Sequence, residues 1–159
     1  MALLNPGDTF PSLTLTEPGG RELTLPDALD GSFGVVLFYR GSWCPYCKAQ
    51  LRAFERSADR FAEVGIKVFA LSVDDEATTA ELVDKLRLNF PVGHSADAAE
   101  VSALTGAFTN PDPVYLQSTG FVLDPAGKVA ISVYSSGAIG RLIPEDVVGL
   151  VQYLAAHQD

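Results

Sequence analysis

Apolar and polar residues alternate through Leu13, Thr14 and Leu15 and again from Glu22 to Leu25, with Pro18-Gly19-Gly20 between them. A period of two buries one face of a strand and wets the other, so this pattern predicts a hairpin. From Val35 to Tyr39 the chain is apolar throughout, as in a central strand covered on both faces. The period changes at Pro45. Cys47, Leu51, Phe54, Ala58, Phe61 and Ala62 share one side of a helix ending near Gly65, and Lys48, Arg52, Arg56 and Arg60 form a separate basic stripe. Ile66 to Val73 reads as another inner strand, and Asp74 and Asp75 open a helix toward Leu88, since acids favour a first turn.

Further on, Phe90 to Gly93 predicts a short extended segment, and Asp97 a cap for a small helix through Leu104. The stretch from Gly106 to Thr119, with Pro111 and Pro113, reads as an irregular loop. Asp124-Pro125-Ala126-Gly127 is a turn signal joining strands Phe121 to Leu123 and Lys128 to Val133. Pro144 sits at the first turn of a last helix, Glu145 to Ala156. The order predicts an α/β fold: a mixed central sheet with helices on both faces. A length of 159 residues suits a single domain, 1–159.

Composition narrows the function. Eleven basic residues face twenty acidic ones, a formal charge of -9, which argues against a nucleic-acid partner. No apolar run approaches the roughly 18–20 residues of a membrane span, and MALLNPGDTFPSLTL lacks the parts of a secretory leader. Both point to a cytoplasmic protein without a membrane partner. Cysteines are usually reduced there, so a close pair suggests catalysis or metal binding more than a structural clip.

The chain has two cysteines, Cys44 and Cys47, placed where the buried strand gives way to the helix. Unpaired amides and the dipole at a helix start stabilise a thiolate. Pro45 supplies no amide but is preorganised for the first turn. Cys44 is expected at the cap and more exposed, Cys47 one turn in and buried, close enough for the sulfurs to bond. On that asymmetry Cys44 attacks a substrate disulfide and Cys47 resolves the mixed disulfide. Trp43 and Tyr46 offer flat surface for docking a partner. A structural zinc site needs four ligands, and beyond the two cysteines there are only the distant His94 and His157, so no metal and no organic cofactor is expected. Two inert core cysteines are the plain alternative.

The run Trp43-Cys44-Pro45-Tyr46-Cys47-Lys48 resembles the thioredoxin superfamily, with CPYC matching the glutaredoxin motif. The frame around it, GDTFPSLTL at Gly7–Leu15, Phe38-Tyr39, FPVGHSAD, FVLDPAGKV at Phe121–Val129 and Gly140-Arg141, is similar to the alkyl hydroperoxide reductase and thiol-specific antioxidant peroxiredoxins. The resemblance implies a thioredoxin-like fold with a peroxiredoxin-like N-terminal hairpin and insertion. It sets Cys47 at the peroxidatic position, Cys44 at that of the peroxide-orienting threonine, Arg40 at that of a proline and Ser118 at that of the family's arginine. Arg40 or Arg141 is left to supply the positive charge.

Two cycles are therefore open. In one, Cys44 attacks a disulfide; in the other, Cys47 is oxidised by a hydrogen or alkyl peroxide and Cys44 condenses with the sulfenic acid. Both end at a Cys44–Cys47 disulfide reduced by a thioredoxin- or glutathione-type system. The missing peroxide-orienting groups favour thiol–disulfide exchange. A redox sensor or interaction protein without turnover is the rival class. Gln50, one turn beyond Cys47, is a candidate to bond near the loop; the basic stripe could guide an acidic reductase or a glutathione carboxylate. The resemblance also allows a homodimer.

Overall fold

The computed structural model describes residues 3–157. The two alternating segments pair as an antiparallel hairpin of β1 (Leu13–Thr16) and β2 (Glu22–Leu25), Leu13 opposite Leu25. The apolar run becomes β3 (Phe33–Phe38), with no exposed residue, at the centre of the main sheet. On one side it pairs in parallel with β4 (Ile66–Leu71), which carries the short edge strand β5 (Val92–Gly93). On the other it pairs antiparallel with β8 (Thr119–Leu123), which pairs with β9 (Val129–Tyr134), giving the five-stranded order β5-β4-β3-β8-β9. This is the mixed sheet the sequence predicts.

Alternate residues of β3, and Tyr39 after it, face two cores. Val35, Leu37 and Tyr39 pack with Leu51 and Phe54 of α1 (Pro45–Arg56), Phe61 of α2 (Ala58–Val64), Leu82 of α3 (Glu76–Leu86) and Val147 and Val151 of α5 (Pro144–Ala156). Val36 and Phe38 pack with the β1–β2 hairpin and with Val101 of α4 (Ala98–Thr105). Burying an aliphatic side chain of this size stabilises by about 1.5–3 kcal/mol, so both faces hold β3 in place. No helix of the described residues is long and apolar enough to cross a membrane.

Three expectations change. The single helix from Pro45 to Gly65 is two helices that meet at Ser57, whose amide shares the Ala53 and Phe54 carbonyls. The bend lets Phe61 meet Phe54 edge-on at 5.5 Å while keeping both buried. It also breaks the basic stripe: Lys48 and Arg52 face α3, whereas Arg60 lies beside Pro144 and Glu145 of α5. Asp75, not Asp74, caps α3, accepting the Thr78 amide at 2.8 Å. Finally, the segment read as an irregular loop contains a ribbon of β6 (Thr109–Pro111) and β7 (Val114–Leu116). Prolines are tolerated there because a two-stranded ribbon has outward amide positions that need no donor.

Candidate active site

Strand β3 ends under the sheet's carboxyl edge, and the Tyr39 amide still bonds Leu71 of β4. The chain then turns through Arg40–Trp43 into α1. At Gly41 a Cβ would lie 2.2 Å from the Trp43 indole nitrogen, so the glycine lets Trp43 fold back over the turn. The turn is fastened at 2.8 Å by the Ser42 amide donating to the Asp74 carboxylate. Asp74 therefore serves this loop rather than the start of α3, and burial raises its pKa. Pro45 occupies the first helical position and Cys44 the cap, where a Ser, Thr or Asp oxygen ordinarily sits.

The cap makes the site chemical. The Cys47 amide donates to Cys44 Sγ at 3.2 Å. Arg40 Nη1 lies 3.9 Å from Cys44 Sγ, while the Arg40 amide donates to Cys47 Sγ at 3.4 Å and Arg141 Nη2 at 3.6 Å. Burial pushes the Cys44 thiol up, but the bonds from Cys47 and Arg40 and the charge of Arg141 outweigh it and leave Cys44 below its ordinary value. Burial, with the neighbouring Cys44 sulfur, holds Cys47 above. The two thiols titrate as a pair, Cys44 held below and Cys47 above the ordinary thiol value. Both cysteines are free thiols.

One expectation is corrected here. Cys44 is as enclosed as Cys47, each with 0% of its surface exposed. The cover is Arg40, whose guanidinium lies 5.0 Å from the Trp43 ring and 5.2 Å from the Tyr115 ring, the rings meeting edge-on. Trp43 and Tyr46, 52% and 55% exposed, flank the covered sulfurs.

Each guanidinium has its own holder. Arg40 Nε donates to Gln117 Oε1 and Nη2 to the Tyr115 hydroxyl, both at 3.0 Å. Arg141 Nη1 donates to Gln50 Oε1 at 2.7 Å, Gln50 Nε2 in turn donates to the Leu142 carbonyl at 2.9 Å, and Arg141 also bonds the Ala138 carbonyl. Gly120 of β8 admits the loop that carries Arg141, since a Cβ there would meet Leu142 at 2.7 Å.

The structure thus brings Arg40, Trp43, Cys44, Pro45, Cys47, Gln50 and Arg141 together, with Tyr46 on the rim. Ser118 is buried and its carbonyl takes the Ser135 amide; the residue beside it, Gln117, reaches the site by holding Arg40. His94 belongs elsewhere, its ring bonded to Ser95 and 3.9 Å from Glu76. Sequence reasoning missed Asp74, Tyr115 and Gln117. Asp74 was legible only as a helix-start acid, and no spacing relates residues 115 and 117 to residue 40.

A dithiol at the carboxyl edge of a central strand and the amino end of a helix, on a mixed five-stranded sheet, defines a thiol oxidoreductase of thioredoxin fold. Comparison with known proteins narrows the class. The chain belongs to the AhpC/TSA family, whose model matches residues 6–132. It is 29% identical over 157 residues to a peroxiredoxin of Treponema denticola, covering 93% of this chain and 72% of that protein. It is 28% identical over 163 residues to alkyl hydroperoxide reductase C of Mycolicibacterium smegmatis, covering 91% and 82%. Peroxidoxin BcpB from Mycobacterium tuberculosis superposes with a TM-score of 0.82 at 21% identity, covering 98% of this chain and 99% of that one. The protein is a thiol-dependent oxidoreductase of the peroxiredoxin class.

Proposed function

We propose that the protein reduces hydrogen peroxide or small alkyl hydroperoxides through the Cys44–Cys47 pair, and that thiol–disulfide exchange is the reductive half of the same cycle. The observation that carries this is the convergence of two guanidinium groups, Arg40 at Cys44 and Arg141 at Cys47. Peroxide cleavage develops negative charge on both oxygens, and fixed cations close to the sulfur stabilise it. Of the peroxide-orienting groups whose absence favoured disulfide exchange as the main activity, the cation has counterparts in Arg40 and Arg141, while Cys44 takes the place of the threonine hydroxyl.

The chemistry follows from the unequal pair of thiols. The Cys44 thiolate attacks the terminal peroxide oxygen, the O–O bond breaks, and the departing alkoxide takes the proton of the Cys47 thiol. Cys44 is then a sulfenic acid and Cys47 a thiolate. Attack of Cys47 on the Cys44 sulfur expels hydroxide, which is protonated to water, and leaves the disulfide. An external thiol system restores the pair, which suits a reducing compartment such as the cytoplasm. Arg40 and Arg141 hold charge, Gln50 positions Arg141, and Trp43, Pro45 and Tyr46 shape the approach.

A second reading exchanges the sulfurs. Cys47 stands at the family's peroxidatic position and receives both the Arg40 amide and Arg141. Proton transfer between the two sulfurs would place the anion there. Stopped-flow oxidation of Cys44→Ser and Cys47→Ser by hydrogen peroxide, with dimedone trapping, separates the two. Fast sulfenylation of Cys44 in Cys47→Ser supports the first ordering; fast sulfenylation of Cys47 in Cys44→Ser supports the second. If neither variant, nor the parent, reacts faster than a free thiol, the peroxidase reading fails.

A further inference from the structure

The bend at Ser57 leaves Lys48 and Arg52 facing α3 across a pocket of about 200 Å³. Its lining includes Ser42 of the cysteine loop, Thr78 and Leu82. A third cation, Lys85, is there too, but Glu81 pairs with it at 2.7 Å. Lys48 and Arg52 form no ion pair among the described residues. Two uncompensated positive charges therefore meet in one small concavity of a chain whose net charge is -9. Long-range attraction of an anion to an acidic protein is weak, so an anion that binds needs such a local concentration of cations.

The helix sets the distance from this pocket to the chemistry. Cys44, the cap of α1, and Lys48 and Arg52 within it are successive fourth residues. At 1.5 Å per residue, Lys48 lies about 6 Å and Arg52 about 12 Å along the axis from Cys44. A tripeptide in extended form reaches about 10 Å. A thiol at Cys44 and a carboxylate at Lys48 can thus belong to one small molecule, and Arg52 adds its charge to the same pocket.

Building on the peroxidase reading, we infer that the pocket between α1 and α3 binds the carboxylate of a low-molecular-weight peptide thiol and directs its sulfur to the oxidised pair. The thiolate of the bound molecule attacks the Cys44 sulfur of the disulfide; the S–S bond breaks and Cys47 leaves as a thiolate and takes up a proton. A second molecule of the same thiol attacks the reductant's own sulfur in the mixed disulfide. Cys44 is released as a thiolate, and the two reductant molecules depart as their disulfide. Two thiols are oxidised and one protein disulfide is reduced. The pocket's size favours this occupant over an acidic protein, whose contact would spread over a wider surface.

The test separates the two halves of the cycle. Wild-type protein is first oxidised with one equivalent of hydrogen peroxide, and loss of both thiols is counted; no disulfide at this stage defeats the peroxidase reading itself. Re-reduction is then followed by thiol release with glutathione and with uncharged 2-mercaptoethanol, and the ratio of the two rate constants is the readout. The ratio should fall about tenfold in Lys48→Gln/Arg52→Gln and collapse similarly in about 1 M salt, where the Debye length is about 3 Å. Glu81→Gln, which frees Lys85, should raise it. An unchanged ratio in the double variant, or a fall in Glu81→Gln, overturns the subsite even though the disulfide forms. So does a double variant that loses reduction by an acidic protein dithiol but keeps the glutathione ratio.

Discussion

Replacing Arg40 by methionine removes the charge nearest Cys44 while keeping an apolar stem between Trp43 and Tyr115. The guanidinium nitrogen lies 3.9 Å from the sulfur. At that separation a unit charge stabilises an anion by about 1 kcal/mol in bulk water and about 4 kcal/mol at an effective dielectric constant of 20. Arg40 is only partly buried, so the lower half of that range applies, about 1–2.5 kcal/mol. At 1.36 kcal/mol per pKa unit, the first ionisation of the pair should rise by about one to two units. The thiolate fraction near pH 7, and with it the rate of peroxide oxidation, should then fall about 10- to 100-fold. The assay is stopped-flow Trp43 fluorescence across pH, with iodoacetamide alkylation as an independent measure of thiolate. The diagnostic result is a displaced acid limb; a midpoint that stays in place would refute the electrostatic account. Gln117→Leu, which keeps the charge but releases the 3.0 Å hydrogen bond holding it, should shift the limb the same way by less.

Other perturbations test the surroundings. Gln50→Ala leaves the Leu142 carbonyl without its donor and Arg141 held only by the Ala138 carbonyl, so it should cost about 1–3 kcal/mol in denaturant melts and slow disulfide closure; unaltered closure would remove Gln50 from the site. Gly41→Ala must displace the Trp43 indole on which the Arg40 cover lies, so the thiols should alkylate faster and Trp43 emission should shift red; a protected pair would mean Trp43 does not hold that cover in place. Burial pushes the Tyr39 phenol from 10.0 up to about 12, so the folded protein keeps a proton that the unfolded chain surrenders. That contribution is whole below about pH 10 and lost as pH rises toward 12, about 2.7 kcal/mol for two units. Tyr39→Phe should melt with that much less alkaline destabilisation, and an unchanged slope would exclude Tyr39 as its source.

Much of the frame is written in short-range pattern. Continuous apolarity at residues 35–39 marks the central strand, alternation marks the first hairpin to the residue at Glu22–Leu25, and Asp97 caps α4 through the Glu100 amide. Each of these depends on the period of side chains along one element, which is a property of neighbours in sequence. The place of the two thiols at a strand-to-helix junction is of the same kind.

The electrostatics of the site are not. Arg40 takes its position from Gln117 and Tyr115, Arg141 from Gln50, and the cysteine turn from Asp74. These pairs are 32 to 91 residues apart, and nothing in a linear pattern relates them. Which sulfur keeps the proton, whether the pair is open to solvent and which cations face it depend on distances that exist only once β8 lies beside β3 and the loop of Arg141 lies on β8. Sequence determined that this chain carries a dithiol on a strand–helix edge. The packing of remote segments decided its charge, because hydrogen bonding acts through space within a few ångströms and Coulomb attraction within a screening length of about 10 Å.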